Sequence, residues 1–364
     1  MSRTKVGAGK PTIRDVAKVA GVSQGTASRV INQLPVKPVL KARVDDAIAK
    51  LGYTPNALAQ SMRLRSTRTI GILIRDFSVP GFASFVKMAQ SILSDAGYVL
   101  MLAGSEDRPE REREILNAFI GRVDGLILST GSASNSLLEN AGTNLSLPMI
   151  MLDREPSEHQ DAIQIAHREG VHRALTYLFE LGHRRVALIT GDSNVRPARE
   201  RILGYREAHV EHGIEIDKAL IRTRNFSKEY AFTETSALLA SKDRPTAIIV
   251  GGVAMLQGAL RAIKTCNLRI PEDISLIGGT DPELAELVEP AVTVIQVDYH
   301  AIGAEAAQLM LDRLDNRIDP SPRIIKFDST LIIRQSCSAP PTTRSEPDAT
   351  EAVRGSTEPF EHPT

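Results

Sequence analysis

The chain has 364 residues, 42% of them hydrophobic. That is too long for one ordinary core and apolar enough to bury two or three. No run approaches the roughly 20 apolar residues of a membrane span, and no apolar secretory stretch opens the sequence, so a cytoplasmic protein off the membrane is expected. The 44 Lys/Arg and 44 Asp/Glu cancel, but residues 1–68 hold 13 Lys/Arg against 3 Asp/Glu, a basic head suited to a phosphate backbone on an acidic remainder that is not.

The head is patterned. Thr12 can cap a helix whose third position, Asp15, answers back, and Ile13, Val16, Ala17 and Ala20 form one apolar face. Gly21 permits a tight turn. Ser23 can cap a second helix that buries Ala27, Val30 and Ile31 and leaves Gln24, Gly25, Thr26, Ser28, Arg29 and Asn32 for solvent or DNA. This is the layout of a helix-turn-helix, whose second helix presents its first residues to base edges in the major groove. Arg29 could pair with guanine and Gln24 with adenine, while the caps and hydroxyls, Thr12 among them, serve phosphate. Trp is absent and aromatics make up 4%, so base stacking is poorly supported and duplex DNA is favoured over single strands.

A third helix is expected from Val39 to Leu51, with Val44, Ala47, Ile48 and Leu51 inward and Gly52 at its end. A short helix then starts at Thr54-Pro55. Below about 12 residues a helix is marginal alone, so its folding should depend on a partner or on DNA.

The segments T-I-x-D-V-A, A-G-V-S, S-R-V-I-N, L-G-Y-x-P-N and T-x-x-I-G, in this order over residues 12 to about 335, resemble the lactose repressor/purine repressor family of bacterial regulators. The resemblance implies that residues 1–54 are a DNA-binding domain and 55–68 a hinge helix and linker, adding Tyr53, Asn56, Ala59 and Met62 to the DNA-contact set. Met62 stands where the family usually carries a leucine that wedges into the minor groove. Pro38-Val39 departs from the family's Ser or Thr cap.

From Thr69 short apolar strands alternate with helices: 70–74, 98–103, 125–129, 149–152, 162–165, 186–190, 247–250 and 274–277. Such alternation implies parallel sheets covered on both faces. The fold class is therefore an all-α helix-turn-helix domain plus an α/β core, which the resemblance makes a two-lobed periplasmic-binding-protein layout. Its lobes would comprise residues 69–160 with 297–320 and 161–296 with 321–335, with a ligand cleft at the carboxyl ends of the strands. After Arg334 the sequence turns Pro-, Ser-, Thr- and Glu-rich without apolar periodicity, and residues 336–364 are expected to be a disordered tail.

By resemblance the cleft should be lined by Arg201 of R-I-L-G-Y, Asp153 ending M-I-M-L-D, Phe82 after the first strand, and Arg75 and Asp76 at that strand's end. Gly252-Val253 and Thr280 replace polar residues common in the family. If each lost hydrogen bond is worth about 0.5 to 1.5 kcal/mol, a neutral sugar loses a few kcal/mol. An anionic, sugar-acid-like effector is one expectation; a non-sugar effector, or none, is the other.

The resemblance implies a repressor of a carbohydrate or sugar-acid operon, acting as a homodimer or tetramer on pseudo-palindromic double-stranded operator DNA in the nucleoid, without a cofactor. A solute-binding protein would need a signal peptide and no basic head. An enzyme would need a motif, and no H-E-x-x-H, G-x-S-x-G or strand-borne G-x-G-x-x-G occurs. Cys266 and Cys337 have no metal-ligand spacing and are expected to be unpaired; His167, His172 and His183 read as surface or packing residues.

Overall fold

The structure, a computed structural model, describes residues 11–341 except 33, 55–65, 76, 78–79, 107, 130–146, 156–159, 253 and 280–281. A helical head and an α/β core form separate compact units. Among the described residues no helix is long and apolar enough to cross a membrane. The hinge positions Asn56, Ala59 and Met62, the cleft positions Asp76 and Thr280, and residues 342–364 of the tail lie outside the described residues.

The head contains α1 (Ile13–Ala20), α2 (Gln24–Ile31) and α3 (Pro38–Leu51). At the first turn of α1 the Asp15 carboxylate accepts from the Thr12 backbone N–H at 2.9 Å and from its hydroxyl at 2.7 Å, satisfying a donor the helix leaves unpaired. Gly21 ends α1 at φ 62°, a left-handed conformation that favours glycine. Ser23 caps α2 by accepting the Thr26 N–H at 3.1 Å. α3 begins at Pro38, one residue before the expected start; the ring's fixed φ suits a first helical turn. Val16, Ala17, Ala20, Ala27, Val30, Val44 and Ala47 form the buried centre, with Ile48, Leu51 and Tyr53 at its rim.

The core contains two six-stranded sheets. The first holds β1 (Thr69–Ile74), β2 (Val99–Gly104), β3 (Gly125–Ser129), β4 (Met149–Leu152), β5 (Asp161–Ile165) and β11 (Ile324–Phe327), in the order β11-β5-β4-β3-β1-β2. The second holds β6 (Val186–Thr190), β7 (Ile221–Thr223), β8 (Ala247–Val250), β9 (Ser275–Gly279), β10 (Thr293–Val297) and β12 (Ser329–Ile332), in the order β12-β10-β9-β8-β6-β7. Strands β1, β3, β4, β5 and β11 pair in parallel, as do β6 to β10, and β12 runs antiparallel to β10. Central strand β6 is buried at every position and reads as a nearly unbroken apolar run, V-A-L-I-T; β5 is equally buried but carries Asp161, whose charge is met by Arg313.

Helices α4 (Pro80–Asp95), α5 (Pro109–Phe119) and α11 (Tyr299–Leu314) belong with the first sheet; α6 (His167–Glu180), α7 (Arg196–Glu211), α8 (Lys228–Leu239), α9 (Met255–Thr265) and α10 (Pro282–Leu287) belong with the second. In both sheets the order reverses beside the first strand, between β1 and β3 and between β6 and β8. Open α/β sheets bind ligands beyond the carboxyl ends of the strands at such a reversal.

Two expectations about the core are corrected. The chain passes between sheets after β5, after β10 and between β11 and β12, so residues 161–165 and 324–327 lie in the first lobe rather than the second. Strand β5 is held there on both edges, by β4 and by β11, and the Arg313 guanidinium binds the Asp161 carboxylate at 2.7 Å. The tail also begins later than residue 336. Ser336 is fully buried, its hydroxyl accepting from Thr293 N–H at 2.8 Å and donating to the Leu276 carbonyl. Ser338 N–H donates to Ser275 Oγ at 3.1 Å, and buried His183 reaches the Ser338 carbonyl at 2.9 Å. His183 is thus a packing residue, and His172 pairs with Glu211 at 2.6 Å.

Candidate DNA interface and effector cleft

Cap geometry aims the start of α2 outward. Ser23, Gln24, Gly25 and Arg29 are exposed and Thr26 is half-buried, its hydroxyl 2.9 Å from that of Ser23. Arg29 donates to the carbonyl of Pro35, in the loop after α2, at 3.1 Å. Thr12 stays exposed with its hydroxyl turned to Asp15, and Tyr53 lies half-buried against the head's core.

Ser28 departs from the expectation. It is only 2% exposed, and its carbonyl and hydroxyl accept from the Asn32 amide at 2.8 and 3.2 Å. The covered face of α2 is wider than its apolar stripe, so Ser28 is a buried small residue, and the amide nitrogen of Asn32 serves the helix C-terminus.

Cleft residues come from the carboxyl ends of strands in both sheets, at or next to the reversals. Arg75 follows β1; Thr190 ends β6; Gly251 and Gly252 follow β8; Asp153 follows β4 at φ 54°, a sparsely populated conformation for a residue with a Cβ, of the kind that gathers at functional sites. Arg196 and Arg201 stand on the first turns of α7, and His167 opens α6.

These groups form one hydrogen-bonded cluster. Asp153 receives His167 Nε2 on Oδ2 at 2.7 Å and Arg196 Nη1 on Oδ1 at 2.7 Å. Arg201 Nη2 lies 3.1 Å from His167 Nδ1. Because a guanidinium only donates, Nδ1 must accept, which assigns a neutral imidazole with its proton on Nε2, pointing at Asp153. Burial and then the Arg201 charge hold His167 below its ordinary pKa. Burial works to raise the Asp153 carboxyl, but His167 and the two arginines together bring it below the usual carboxylate range. Burial lowers Arg201 to about 10 and, with the Asp153 charge, raises the Tyr299 phenol to about 12.

Two buried polar atoms here have no hydrogen-bond partner among the described residues, Arg201 Nη1 and Thr190 Oγ1. Both side chains border Gly251: a Cβ added there would lie 2.7 Å from Arg201 Cδ and 2.9 Å from Thr190 Oγ1. A buried guanidinium N–H left unpaired costs more than a neutral one, so an acceptor placed against Nη1 would be stabilised. The Phe226 ring closes the other side, 4.7 Å from the Arg75 guanidinium and 5.6 Å from that of Arg201, within range of attraction between cation and ring face.

Of the expected cleft residues, Arg75, Asp153 and Arg201 are brought together. Gly252 packs beneath Phe226 and Met255, its absent Cβ leaving room for both. Phe82 belongs to the first lobe's core: it is 9% exposed, stacked on Phe85 at 5.5 Å and edge-on to Phe77 at 6.3 Å. It lies inside α4, where the helix turns it toward the sheet. His167 is corrected in the other direction, from packing residue to the centre of the cluster, and Phe226 and Arg196 are additions that no local motif announces. Among the described residues no group of His, Cys, Asp and Glu could hold a metal ion.

Residues 12–56 match the description "Bacterial regulatory proteins, lacI family", and residues 175–337 match "Periplasmic binding protein-like domain". The HTH-type transcriptional repressor PurR of Edwardsiella ictaluri is 34% identical over 91% of this chain and 98% of its own. The chain belongs to the lacI family of bacterial regulatory proteins. Among solved structures, the lac repressor dimer bound to operator and the anti-inducer ONPF is similar at a TM-score of 0.80, with 25% identity over 91% of this chain and 100% of that one. The transcriptional regulator CelR in complex with cellobiose is similar at a TM-score of 0.67, with 31% identity over 90% and 99%. The lacI-family protein described here is accordingly a DNA-binding transcriptional repressor with a ligand-binding core, and its relatives are repressors rather than enzymes.

Proposed function

We propose that this repressor controls a carbohydrate or sugar-acid catabolic or transport operon. It acts in the cytoplasm as a homodimer on a pseudo-palindromic operator, and an anionic sugar-acid-like effector in the interlobe cleft modulates its affinity. The observation that carries the effector class is Arg201: the side chain is partly buried, burial lowers its pKa to about 10, and its buried Nη1, like the Thr190 hydroxyl, has no hydrogen-bond partner among the described residues. A carboxylate would satisfy both. The cellobiose held by CelR supports a carbohydrate, and the operator-bound lac repressor dimer supports the assembly on DNA. Effector occupancy would then change DNA affinity by the coupling energy between the sites, about 1 to 3 kcal/mol in typical cases.

Calorimetric titration of the full-length protein with gluconate-type acids, cellobiose and neutral hexoses tests the effector. Acids should bind, Arg201→Lys should weaken them and Arg201→Met abolish them. Binding of neutral sugars alone, or of none of the panel, overturns the sugar-acid reading. For the head, Arg29→Ala should cost about 1 to 3 kcal/mol on the operator and much less on random duplex; equal losses would place Arg29 on phosphate.

A further inference from the structure

Asp153 leaves the first sheet at the end of β4, and the groups that close on it come mainly from the second lobe. Arg196 Nη1 donates to Asp153 Oδ1 at 2.7 Å and to the Ile165 carbonyl, on first-lobe strand β5, at 3.1 Å. His167 Nε2 donates to Oδ2 at 2.7 Å and its other ring nitrogen accepts from Arg201. The Ile165 N–H adds a longer bond to Oδ1 at 3.4 Å. Arg196, His167 and Asp153 are all at least 87% removed from solvent at their side chains, so salt screens these contacts little. At the rim, Glu155 of the same first-lobe loop pairs with Arg199 and lies 3.8 Å from Arg196 Nε.

We infer that Asp153 is the internal anion of a cross-lobe latch, with Arg196 as the residue that fixes it, and that it is not a free acceptor for effector hydroxyls. A carboxylate offers about four lone-pair directions, and three donors already take three of them, one on each oxygen at 2.7 Å. Latch and effector arginine are one mechanical unit, because His167 joins Asp153 to Arg201. The consequence is selectivity: a neutral polyol that needs a carboxylate to accept its hydroxyl proton must compete with Arg196, whereas an anion meets the unpartnered Nη1 of Arg201. This deepens the sugar-acid reading, but the latch itself is tested without any ligand.

Hydrogen exchange on the ligand-free, full-length protein reads the latch directly. Arg196→Met, made in the second lobe, should raise exchange at least tenfold in first-lobe peptides covering residues 150–155 and 161–166 as well as around its own helix. Asp153→Asn should raise exchange around residues 165–170 in return, and the double variant should add nothing further. Arg196→Lys, which keeps one donor for Asp153 but cannot also reach the Ile165 carbonyl, should fall between wild type and Arg196→Met. Changes confined to the lobe that carries the substitution, multiplying effects in the double variant, or a lysine no better than methionine would each overturn the latch. A failed sugar-acid titration alongside cross-lobe exchange would refute the effector and leave the latch standing.

Discussion

Replacing Gly204 with alanine attacks the cleft from behind. Gly204 is the glycine of R-I-L-G-Y on α7, where that helix crosses α6. A Cβ built there would stand 2.1 Å from the Arg168 carbonyl oxygen and 2.9 Å from its carbon. Ordinary van der Waals contact begins near 3.4 Å, so the two backbones must separate by more than an ångström; no flexible side-chain tip can give way. Val171, Ala174, Ile202, Tyr205 and Ala208 share this cluster, and a gap of 0.5 to 1 Å forfeits about a quarter to a half of a dispersion well. Overpacking ordinarily costs about 1 to 3 kcal/mol, and this contact belongs at the top of that range, so about 3 kcal/mol is expected. Urea unfolding followed by tryptophan-free probes, tyrosine fluorescence or far-ultraviolet dichroism, should show the core midpoint fall accordingly. The same displacement draws Arg201 on α7 from His167 on α6, whose bond is 3.1 Å, so the histidine's nitrogen resonances should move as well. An unchanged midpoint with unchanged resonances would refute the close helix crossing on which the cleft rests.

Three further outcomes follow from the same geometry. His167, His183 and His209 are at most 5% exposed, and burial holds each below the ordinary histidine pKa of 6.5. The unfolded chain then takes up protons the fold refuses, so stability is full above 6.5 and declines as pH falls below it, by up to about 1.4 kcal/mol per pH unit for each histidine; denaturation midpoints that stay flat between pH 8 and 5.5 would contradict their neutral burial. Ser336→Ala strands the buried Thr293 N–H and should cost about 1 to 3 kcal/mol, whereas a loss within error would mean that the segment after Arg334 is not packed. Gly25 has open space, its nearest heavy atom being Ser23 Oγ at 3.8 Å; Gly25→Ala should stabilise the head by about 0.5 to 1 kcal/mol yet weaken operator binding in a mobility-shift assay, and undiminished affinity would place the start of α2 away from DNA.

The head was legible in the sequence because its signals are local. Thr12 with Asp15, Gly21 and Ser23 each act within four residues, and each makes the bond or turn its spacing suggests. Strands such as β1, β3 and β6 are legible because they are apolar runs; β7, β11 and β12, which are short and partly exposed, fall outside the expected strands, as does β10, whose T-V-I-Q-V is buried at all but one position but is interrupted by polar residues. Phe82, Phe85, Ala89 and Leu93 recur at helical spacing, a pattern that marks Phe82 as core, and all four are buried there. The cleft is another matter. His167 lies 14 residues from Asp153, and Arg196 lies 43 away; only the passage of the chain between sheets brings them together, and no pattern in either segment carries that information.

The glycines after β8 show why counting departures from a family pattern misleads on its own. Read as a list of lost side chains, Gly252 removes a hydrogen-bonding group. Read in three dimensions, a Cβ at Gly251 would strike Arg201 Cδ at 2.7 Å, and one at Gly252 would press on Met255 Sδ at 2.6 Å and Phe226 Cδ1 at 3.0 Å. The missing atoms are the space in which the buried arginine and the aromatic ring stand. Restoring a side chain at position 252 would therefore not return a ligand contact without displacing Met255 or the Phe226 ring that packs against the arginines.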